Sequence, residues 1–411
     1  MIETKPGAAL SCEVLVVGAG LAGLVAAMGF ERAGFDVILC GEPERLANGR
    51  TVALLESSIR LLKAFDLWAE IEPRAAPLRA LRILDDTGAL WSAPPIEFRA
   101  REIDLEAFGW NIENAELIDA LAMAARASPG LRMIGSRIAA YEFSADRVEA
   151  RCEDGAVLDA KLIAAADGRG SPARKAAGID ASIDRYPQTA LTLILTHSRP
   201  HDDFSTEFHT RAGPFTLVPL PESSLGAARS SLVWVMSPRE ARRRAALDDL
   251  ALAQEIEAQC QSMLGKMRIE GKRGAFPLAS QSAVRMTAPR LALIGDAAHV
   301  LPPIGAQGLN LGLRDAAHLI EAAERARSEG GDIGGSPTLA RYAGLRRLDV
   351  AFRRRAVDGL NRSLLAGLAP ADFIRNAGLA ALGAIGPLRR FVMREGVSPR
   401  LSTPKLMRPS G

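Results

Sequence analysis

The chain has 411 residues, of which 48% are apolar and 24% charged, the composition of a folded globular protein and not of a disordered one. Its 51 Lys/Arg against 48 Asp/Glu leave a formal charge of only +3, and aromatics make up 5%, which excludes a nucleic-acid coat and a stacking platform for single strands. At this length a single hydrophobic core stops growing, so two interleaved structural domains are expected.

Met1 to Cys12 contains Glu3, Lys5 and a Pro6-Gly7 pair, unlike a signal peptide. Val14-Leu15-Val16-Val17 is an apolar run of buried-strand type, and Gly18-Ala19-Gly20-Leu21-Ala22-Gly23 follows at once. Leu24 to Ala33 reads as a helix closed by Gly34, and Val37 to Cys40 as a second buried strand. Strand, G-x-G-x-x-G, helix, strand is the order of a dinucleotide-binding unit. The first Gly permits the tight turn, the second lets backbone approach a pyrophosphate, and the third allows close helix–strand packing. The helix start then offers unpaired N–H groups. The usual ribose-binding acid belongs at about residue 41, where Gly41 stands. Glu42, one position on, is the candidate, with a solvated loop charge as the alternative. The chain carries one such fingerprint, so either this nucleotide is the sole cofactor or a second one visits without its own domain.

Further along, Leu162 to Ala166 is an apolar strand running into Asp167-Gly168-Arg169-Gly170-Ser171-Pro172-Ala173-Arg174, a D-G-x-x-S-x-x-R pattern. Thr189–Thr196 and Ser231–Met236 alternate as strands, split by turns at Pro214 and Pro219–Pro221. Leu191, Leu193, Leu195, Phe215, Leu217, Val233 and Val235 are expected on one face of an antiparallel sheet, as core or, alternatively, lining an apolar channel. Asp248–Leu264 reads as a helix with an acidic start. Leu291 to Ile294 leads into Gly295-Asp296-Ala297-Ala298-His299, and Pro302-Pro303-Ile304-Gly305-Ala306-Gln307-Gly308-Leu309-Asn310 runs on to Arg314-Asp315. A strand-end Asp can accept hydrogen bonds from ribityl hydroxyls, and Gly-rich backbone at a helix start can offer N–H groups to an isoalloxazine carbonyl. Alternatively, each Asp caps the helix after it.

The longest charge-free runs, Val14–Phe30 and Ala297–Leu313, have 17 residues each, and their Gly, Pro, Gln and Asn content reads as loops around a ligand, so no transmembrane helix is expected. Cys12, Cys40, Cys152 and Cys260 are scattered, which fits reduced thiols in a cytosolic protein. The histidines form no H-E-x-x-H. His197 and His201 lack an acidic partner pattern, so no metal is expected. Residues 339–411 hold 14 Lys/Arg against 4 Asp/Glu, leaving 37 against 44 for residues 1–338. The excess lies on helical patterns: Arg346-Arg347, Arg353–Arg355, Arg362, Arg375, Arg389-Arg390 and Arg394, interleaved with Leu, Phe and Ala. It is either a solvated helix face pairing with the acidic body, or an element that docks on a membrane surface or a complex.

Taken in order over Val14 to Asp315, the G-x-G-x-x-G, D-G and G-D motifs resemble the flavin-dependent aromatic hydroxylases typified by para-hydroxybenzoate hydroxylase. Asn111-Ile112-Glu113-Asn114-Ala115-Glu116-Leu117 is similar to the V-x-N-x-x-L stretch of the ubiquinone-biosynthesis hydroxylases. Tyr342, Arg346, Asp349 and Asp358-Gly359-Leu360-Asn361-Arg362 resemble that subfamily's tail pattern, as does the ending from Phe373 to Gly396 with Gly378-Leu379 and Pro387-Leu388-Arg389. There are three departures: Gly41 replaces the ribose acid, Gly305-Ala306 stands for the usual Ala-Gly, and Ala115 replaces an arginine.

The resemblance implies an α/β (mixed α+β) fold, a Rossmann-like FAD-binding domain interrupted by an antiparallel-sheet substrate domain, with a helical C-terminal tail. The expected division is residues 1–74, 101–182 and 286–350 for the FAD domain, 75–100 and 183–285 for the substrate domain, and 351–411 for the basic tail. FAD is the implied cofactor, NAD(P)H the reductant and O2 the co-substrate, with OH passed to an electron-rich phenol from a flavin C4a-hydroperoxide. The implied FAD contacts are Gly18, Ala19, Gly20, Leu21, Ala22, Gly23, Glu42, Arg50, Asp167, Gly168, Gly295, Asp296, Pro303, Gln307, Gly308, Leu309 and Asn310. The sequence selects no catalytic side chain, ring position, nicotinamide or oligomeric state. The implied substrate is a polyprenylated phenol on the way to ubiquinone, handled by a cytoplasmic protein peripheral to the inner face of a membrane. The alternatives are a small soluble aromatic acid as substrate, or a non-catalytic flavin- or quinone-binding subunit.

Overall fold

The computed structural model describes residues 9–44, 49–88, 94–303, 305–365, 384–399 and 403–409. The chain opens with β1 (Ala9–Val17), α1 (Leu21–Arg32), β2 (Val37–Cys40), β3 (Thr51–Leu55), α2 (Glu56–Ala64) and the short α3 (Trp68–Ile71). Next come β4 (Ala76–Pro77), β5 (Ala80–Asp85), β6 (Ile96–Arg99), β7 (Gly109–Glu113), α4 (Asn114–Ala127), β8 (Leu131–Ile134), β9 (Ile138–Phe143), β10 (Val148–Cys152), β11 (Val157–Ala165) and α5 (Pro172–Ala176). The strands β12 (Ala181–His197), β13 (Phe204–Thr210), β14 (Gly213–Leu220) and β15 (Ala228–Met236) lead to α6 (Pro238–Ala245), α7 (Asp249–Gln259) and β16 (Met267–Ala283). Then follow β17 (Thr287–Ala288), β18 (Leu291–Leu293), β19 (His299–Val300), α8 (Gln307–Ser328), α9 (Ser336–Leu365) and α10 (Gly386–Val397).

The first sheet has the order β17-β18-β11-β1-β2-β8, with β10 pairing β11 and β9 pairing β10. Its central strand β1 runs parallel to both neighbours, with Val14 level with Leu162 and Val37. Both faces of this sheet are covered, so its parallel strands are apolar on both sides. Val14, Val16, Val37, Leu39 and Leu162 join the core beneath α1, α4 and α8, while Leu15, Val17, Ile38, Cys40 and Ile163 join a core on the opposite face. Adjacent residues of a strand point to opposite faces, so an unbroken apolar run serves two cores at once.

The second sheet has the order β19-β16-β12-β15-β14-β13-β5-β6, so strands drawn from 75–100 and from 183–285 lie in one sheet. A third, smaller sheet has the order β3-β7-β4. The pairing sets Leu191 opposite Trp234 and Leu193 opposite Leu232. The core over this sheet therefore takes Leu191, Leu193, Leu195, Phe215 and Leu217 together with Leu232 and Trp234. Val233 and Val235 do not share that face as expected; they lie on the other one, with Val235 against Ala190 and Leu278. The register pairs odd-numbered residues of β12 with even-numbered residues of β15, and one step of register exchanges the faces.

Helix bounds also differ from expectation. α1 starts at Leu21, because the Leu24 N–H already bonds the Gly20 carbonyl at 2.9 Å. α7 is shorter than the expected 248–264: Asp248 caps it by accepting the Ala251 N–H at 2.8 Å, and positive φ at Gln261 and Ser262 stops it. α9 runs unbroken through residue 351, the expected start of the tail. Among the described residues no helix is long and apolar enough to cross a membrane.

Candidate functional site

The carboxyl ends of β18, β11 and β1 lie side by side, and the three Gly/Asp motifs leave the sheet there. In open α/β sheets ligands bind outside those ends. Gly18 has φ +101°, and a Cβ on it would sit 2.5 Å from the Ala166 carbonyl oxygen and 2.9 Å from the Asp167 Cα. The first two motifs thus meet backbone to backbone. A Cβ on Gly23 would sit 1.9 Å from the Gly18 oxygen. A Cβ on Gly312 would come 2.9 Å from the Gly295 Cα, and one on Gly295 3.3 Å from the Ala22 Cβ, which brings the third motif onto the first. Gly41, where the ribose acid was expected, has φ +128° and faces the Ala19 nitrogen, so a side chain there would be strained.

Other glycines of the same motifs face open space. A Cβ on Gly20, Gly168 or Gly308 would meet nothing within 4 Å. Gly20 precedes α1 and Ala306 precedes α8 at the cap position, and neither start has a side-chain cap or an acidic residue in its first turn. Uncapped N–H groups at two helix starts beside an open, Gly-lined cleft suit an anionic ligand with polar extensions. One oxygen of Asp167 accepts the Ala173 N–H at 2.9 Å and so caps α5, while the other is buried without a partner among the described residues. Burial pushes that carboxyl up. Asp296 caps no helix; it is the exposed residue in an otherwise buried stretch from Leu291 to Val300, with no side-chain partner among the described residues. These features fit a flavin dinucleotide.

The remaining predicted residues divide by what their side chains already hold. Asn310 is fully engaged: its Oδ1 accepts the Leu55 N–H at 2.8 Å and the Ser58 hydroxyl at 2.7 Å, and its Nδ2 donates to the carbonyls of Ala53 and Ala306. It fastens β3 and α2 to α8, leaving only its backbone for a ligand. Gln307 donates to the Gly305 carbonyl at 2.8 Å and accepts from Arg353. Arg50 is exposed, with its guanidinium 5.2 Å from the Phe276 ring centre. Glu42 is exposed beside Gly135, and Pro303 is exposed while Pro302 is buried. Ala19 is buried, and Leu21, Ala22 and Leu309 are half-buried. Gly305 and Ala306, the reversed pair, have φ +66° and +53°, so Ala306 holds a left-handed conformation that favours glycine. Ile304, Arg375 and Gly378-Leu379 lie outside the described residues, as does the side chain of Arg362.

Two sets of residues lock this geometry. Arg174, which ends the D-G-x-x-S-x-x-R pattern, is buried and donates to the Ala297 carbonyl at 2.7 Å and the Arg169 carbonyl at 3.0 Å, clamping the second motif to the third. Behind the third motif lies a buried charge network. Asp315 accepts the Gly295 N–H at 2.9 Å and Arg346 Nε at 2.6 Å, with His299 Nε2 also 2.6 Å away. Asp349 accepts from Arg314 and Arg346 at 2.7 Å each and from Arg353 at 2.9 Å. Burial pushes the Asp315 carboxyl up, but His299 and Arg346 more than offset it and hold it below the usual range. Burial lowers the Arg314 guanidinium to about 10, and burial with Arg346 nearby lowers His318 to about 3. Tyr342 donates to the Leu293 carbonyl at 2.7 Å. The tail pattern is thus the partner of the G-D motif. Its spacing in α9 carries the signal: Tyr342, Arg346, Asp349 and Arg353 fall on one helix face.

Further along α9, Asp358 accepts from Tyr186 at 2.8 Å and Asn361 donates to Gln188 at 2.9 Å, tying the helix to β12. Asn111 reaches from β7 to the Pro219 carbonyl at 2.8 Å. The basic excess therefore splits. Arg346 and Arg353 are buried structural cations, not surface charges, and Arg389 pairs with Glu102 and Arg394 with Asp104. His197 and His201 are spent on protein groups: His197 on the Arg199 carbonyl and Ser230, His201 on the Leu220 carbonyl and the Asp203 N–H.

The family profile described as FAD binding domain matches residues 11–331. Ubiquinone hydroxylase UbiL of Rhodospirillum rubrum is 32% identical over 407 residues, covering 96% of this chain and 92% of that protein. The 3-demethoxyubiquinol 3-hydroxylase of Escherichia coli is 32% identical over 392 residues, covering 93% of this chain and 97% of that protein. The crystal structure of p-nitrophenol 4-monooxygenase PnpA from Pseudomonas putida DLL-E4 superposes with a TM-score of 0.76 at 22% identity, covering 96% of this chain and 99% of that one, a likeness of fold.

Proposed function

Because this chain belongs to the FAD-binding monooxygenase family, we propose that it hydroxylates the aromatic ring of a polyprenylated phenol in ubiquinone biosynthesis, with NAD(P)H as reductant and O2 as co-substrate. The observation that carries this reading is near-full-length similarity, at 32% identity, to the ubiquinone hydroxylase UbiL and the 3-demethoxyubiquinol 3-hydroxylase. Bound FAD would supply the redox chemistry, taking electrons from the nicotinamide and delivering them to O2. The balance is one phenol, one O2, one NAD(P)H and one proton giving the hydroxylated phenol, water and NAD(P)+.

The chain's own residues bind, orient and exclude. Gly18 to Gly23 would cradle the pyrophosphate on the start of α1, with Glu42 toward the ribose and Arg50 toward the phosphates. Asp167 and Asp296, with Gly168 and Gly295, would hold the polar chain, and backbone from Gln307 to Asn310 would line the ring beside Pro303. The apolar second sheet, over residues 75–100 and 183–285, would cover the substrate and keep water from the reacting centre. The site of action is the cytoplasmic face of a membrane, where such a phenol resides.

The test supplies purified, flavin-loaded protein with NAD(P)H, O2 and either a prenylated phenol or the same phenol without its tail, and follows product by mass. The reading requires one added oxygen on the prenylated phenol and a much weaker response to the tailless one. Equal turnover of both would assign the site to a small soluble aromatic. Nicotinamide consumption without hydroxylated product would make the chain a flavin-binding subunit.

A further inference from the structure

Of the twelve large apolar side chains that stand exposed among the described residues, six fall on α9 and α10. Leu345, Leu348 and Phe352 follow one another at helical spacing on a flank of α9, about a quarter turn from its buried network, with Leu348 74% and Phe352 71% exposed. On α10, Met393 and Val397 face the protein beside Phe98 and Ile103, while Leu388, Phe391 and Val392 face out, Phe391 being 62% exposed. The helices adjoin: Arg353 of α9 donates to the Glu395 carbonyl of α10 at 3.4 Å.

The charges among these side chains all have one sign. Arg341, Arg347, Arg355 and Arg390 are exposed and have no ion-pair partner among the described residues. The carboxylates of α9 and α10 are Asp349, Asp358 and Glu395. Asp349 is buried in its arginine network, Asp358 holds Tyr186, and Glu395 is also engaged. A second copy of this face would therefore set arginine against arginine with no free carboxylate between them. An anionic lipid surface matches both components: phosphates for the arginines and acyl chains for Leu348, Phe352 and Phe391.

We propose that α9 and α10 form a docking face for an anionic membrane surface. The proposal deepens the reading of the substrate as a lipid-resident phenol and rests on it for its biological purpose, while the physical argument stands on the exposed side chains alone.

The experiment sediments the flavin-loaded protein with phosphatidylcholine vesicles, with or without phosphatidylglycerol. Neither contains a phenol, so a wrong substrate assignment cannot mimic or mask the result. The parent is expected to bind the anionic vesicles, to bind neutral ones weakly, and to be released by salt. Arg347→Gln with Arg355→Gln, and separately Phe352→Ser with Phe391→Ser, should each cut the bound fraction about tenfold, with flavin content and unfolding temperature unchanged. No binding by the parent, or binding that both variants retain, overturns the proposal. So does a dimer that Phe352→Ser converts to monomer without any vesicle binding, which would assign the face to a second copy.

Discussion

The seam where the three Gly/Asp motifs meet and the antiparallel sheet beside it are both buried, yet they are held by different forces. In the seam, backbone lies on backbone: Gly18 against Ala166 and Asp167, Gly23 against Gly18, Gly312 against Gly295. Behind it stand fully buried charges, with Asp315 shared by Gly295, His299 and Arg346. The sheet is held by interdigitated side chains, such as Phe215 edge-on to Phe208 at 5.6 Å and to Trp234 at 5.1 Å. A backbone approach tolerates no added atom, whereas a side-chain core loses stability in proportion to the volume and shape changed. The seam can keep a recognisable motif while the sheet drifts, which suits a family that holds one cofactor and varies what it covers.

Gly23→Ala tests the seam most severely. Its Cβ would stand 1.9 Å from the Gly18 oxygen with backbone on both sides. The expected cost is about 4 kcal/mol or more, read as loss of soluble, flavin-bearing protein or as a collapsed urea midpoint. Mild destabilisation would mean that the seam yields as the sheet does.

Acid should also act on the seam. Folding lowers His318 to about 3 from an ordinary 6.5, so between these values the unfolded chain takes up a proton that the folded chain refuses. This contribution is complete above the unfolded value and is lost as the pH falls toward 3, on the order of 3–5 kcal/mol at full extent. Asp315 and Asp349, both held below the usual carboxylate range, add a further loss below about pH 4. Denaturant titration at pH 7.5 and at pH 5 measures the first window, and equal stabilities would contradict it.

Arg346→Met leaves Asp315 and Asp349 short of a cation in a buried place. The expected loss is about 3–5 kcal/mol, together with weaker flavin retention, because Asp315 holds the Gly295 N–H. In the sheet, Phe215→Leu should cost only about 1–2 kcal/mol and leave flavin content unchanged. If the two variants lost equal stability and equal flavin, the contrast between the regions would fail.

How much was legible in the sequence follows the same division. β2 falls on Val37–Cys40 as expected, and the Gly and Asp positions of each motif sit at strand ends, because backbone geometry restricts those positions to very few residue types. The face of the second sheet was legible for β12 and β14 but not for β15, since register is set by pairing between strands and no local pattern states whether odd meets odd or even. Arg353–Arg355 reads as one surface cluster in the sequence, yet Arg353 turns inward to Asp349 while Arg355 stays exposed. The helix period sets Arg353 on the face of Asp349, four residues before it, but that this face is the buried one becomes visible only when α9 lies against α8. Asp315 and Arg346 are far apart along the chain and meet only in the fold.

The central claim is that the three strand-end motifs form one cradle for FAD, and Gly20 tests it most directly. Its backbone has φ −74° and ψ 178°, which any residue adopts, and an added Cβ would meet no protein atom within 4 Å. Titrating FAD into the apoproteins of the parent and Gly20→Val separates fold from ligand. The account predicts unchanged unfolding temperatures for the two apoproteins and a loss of FAD affinity on the order of a hundredfold or more, equivalent to about 3 kcal/mol. A Gly20→Val protein that bound FAD as tightly as the parent would contradict it.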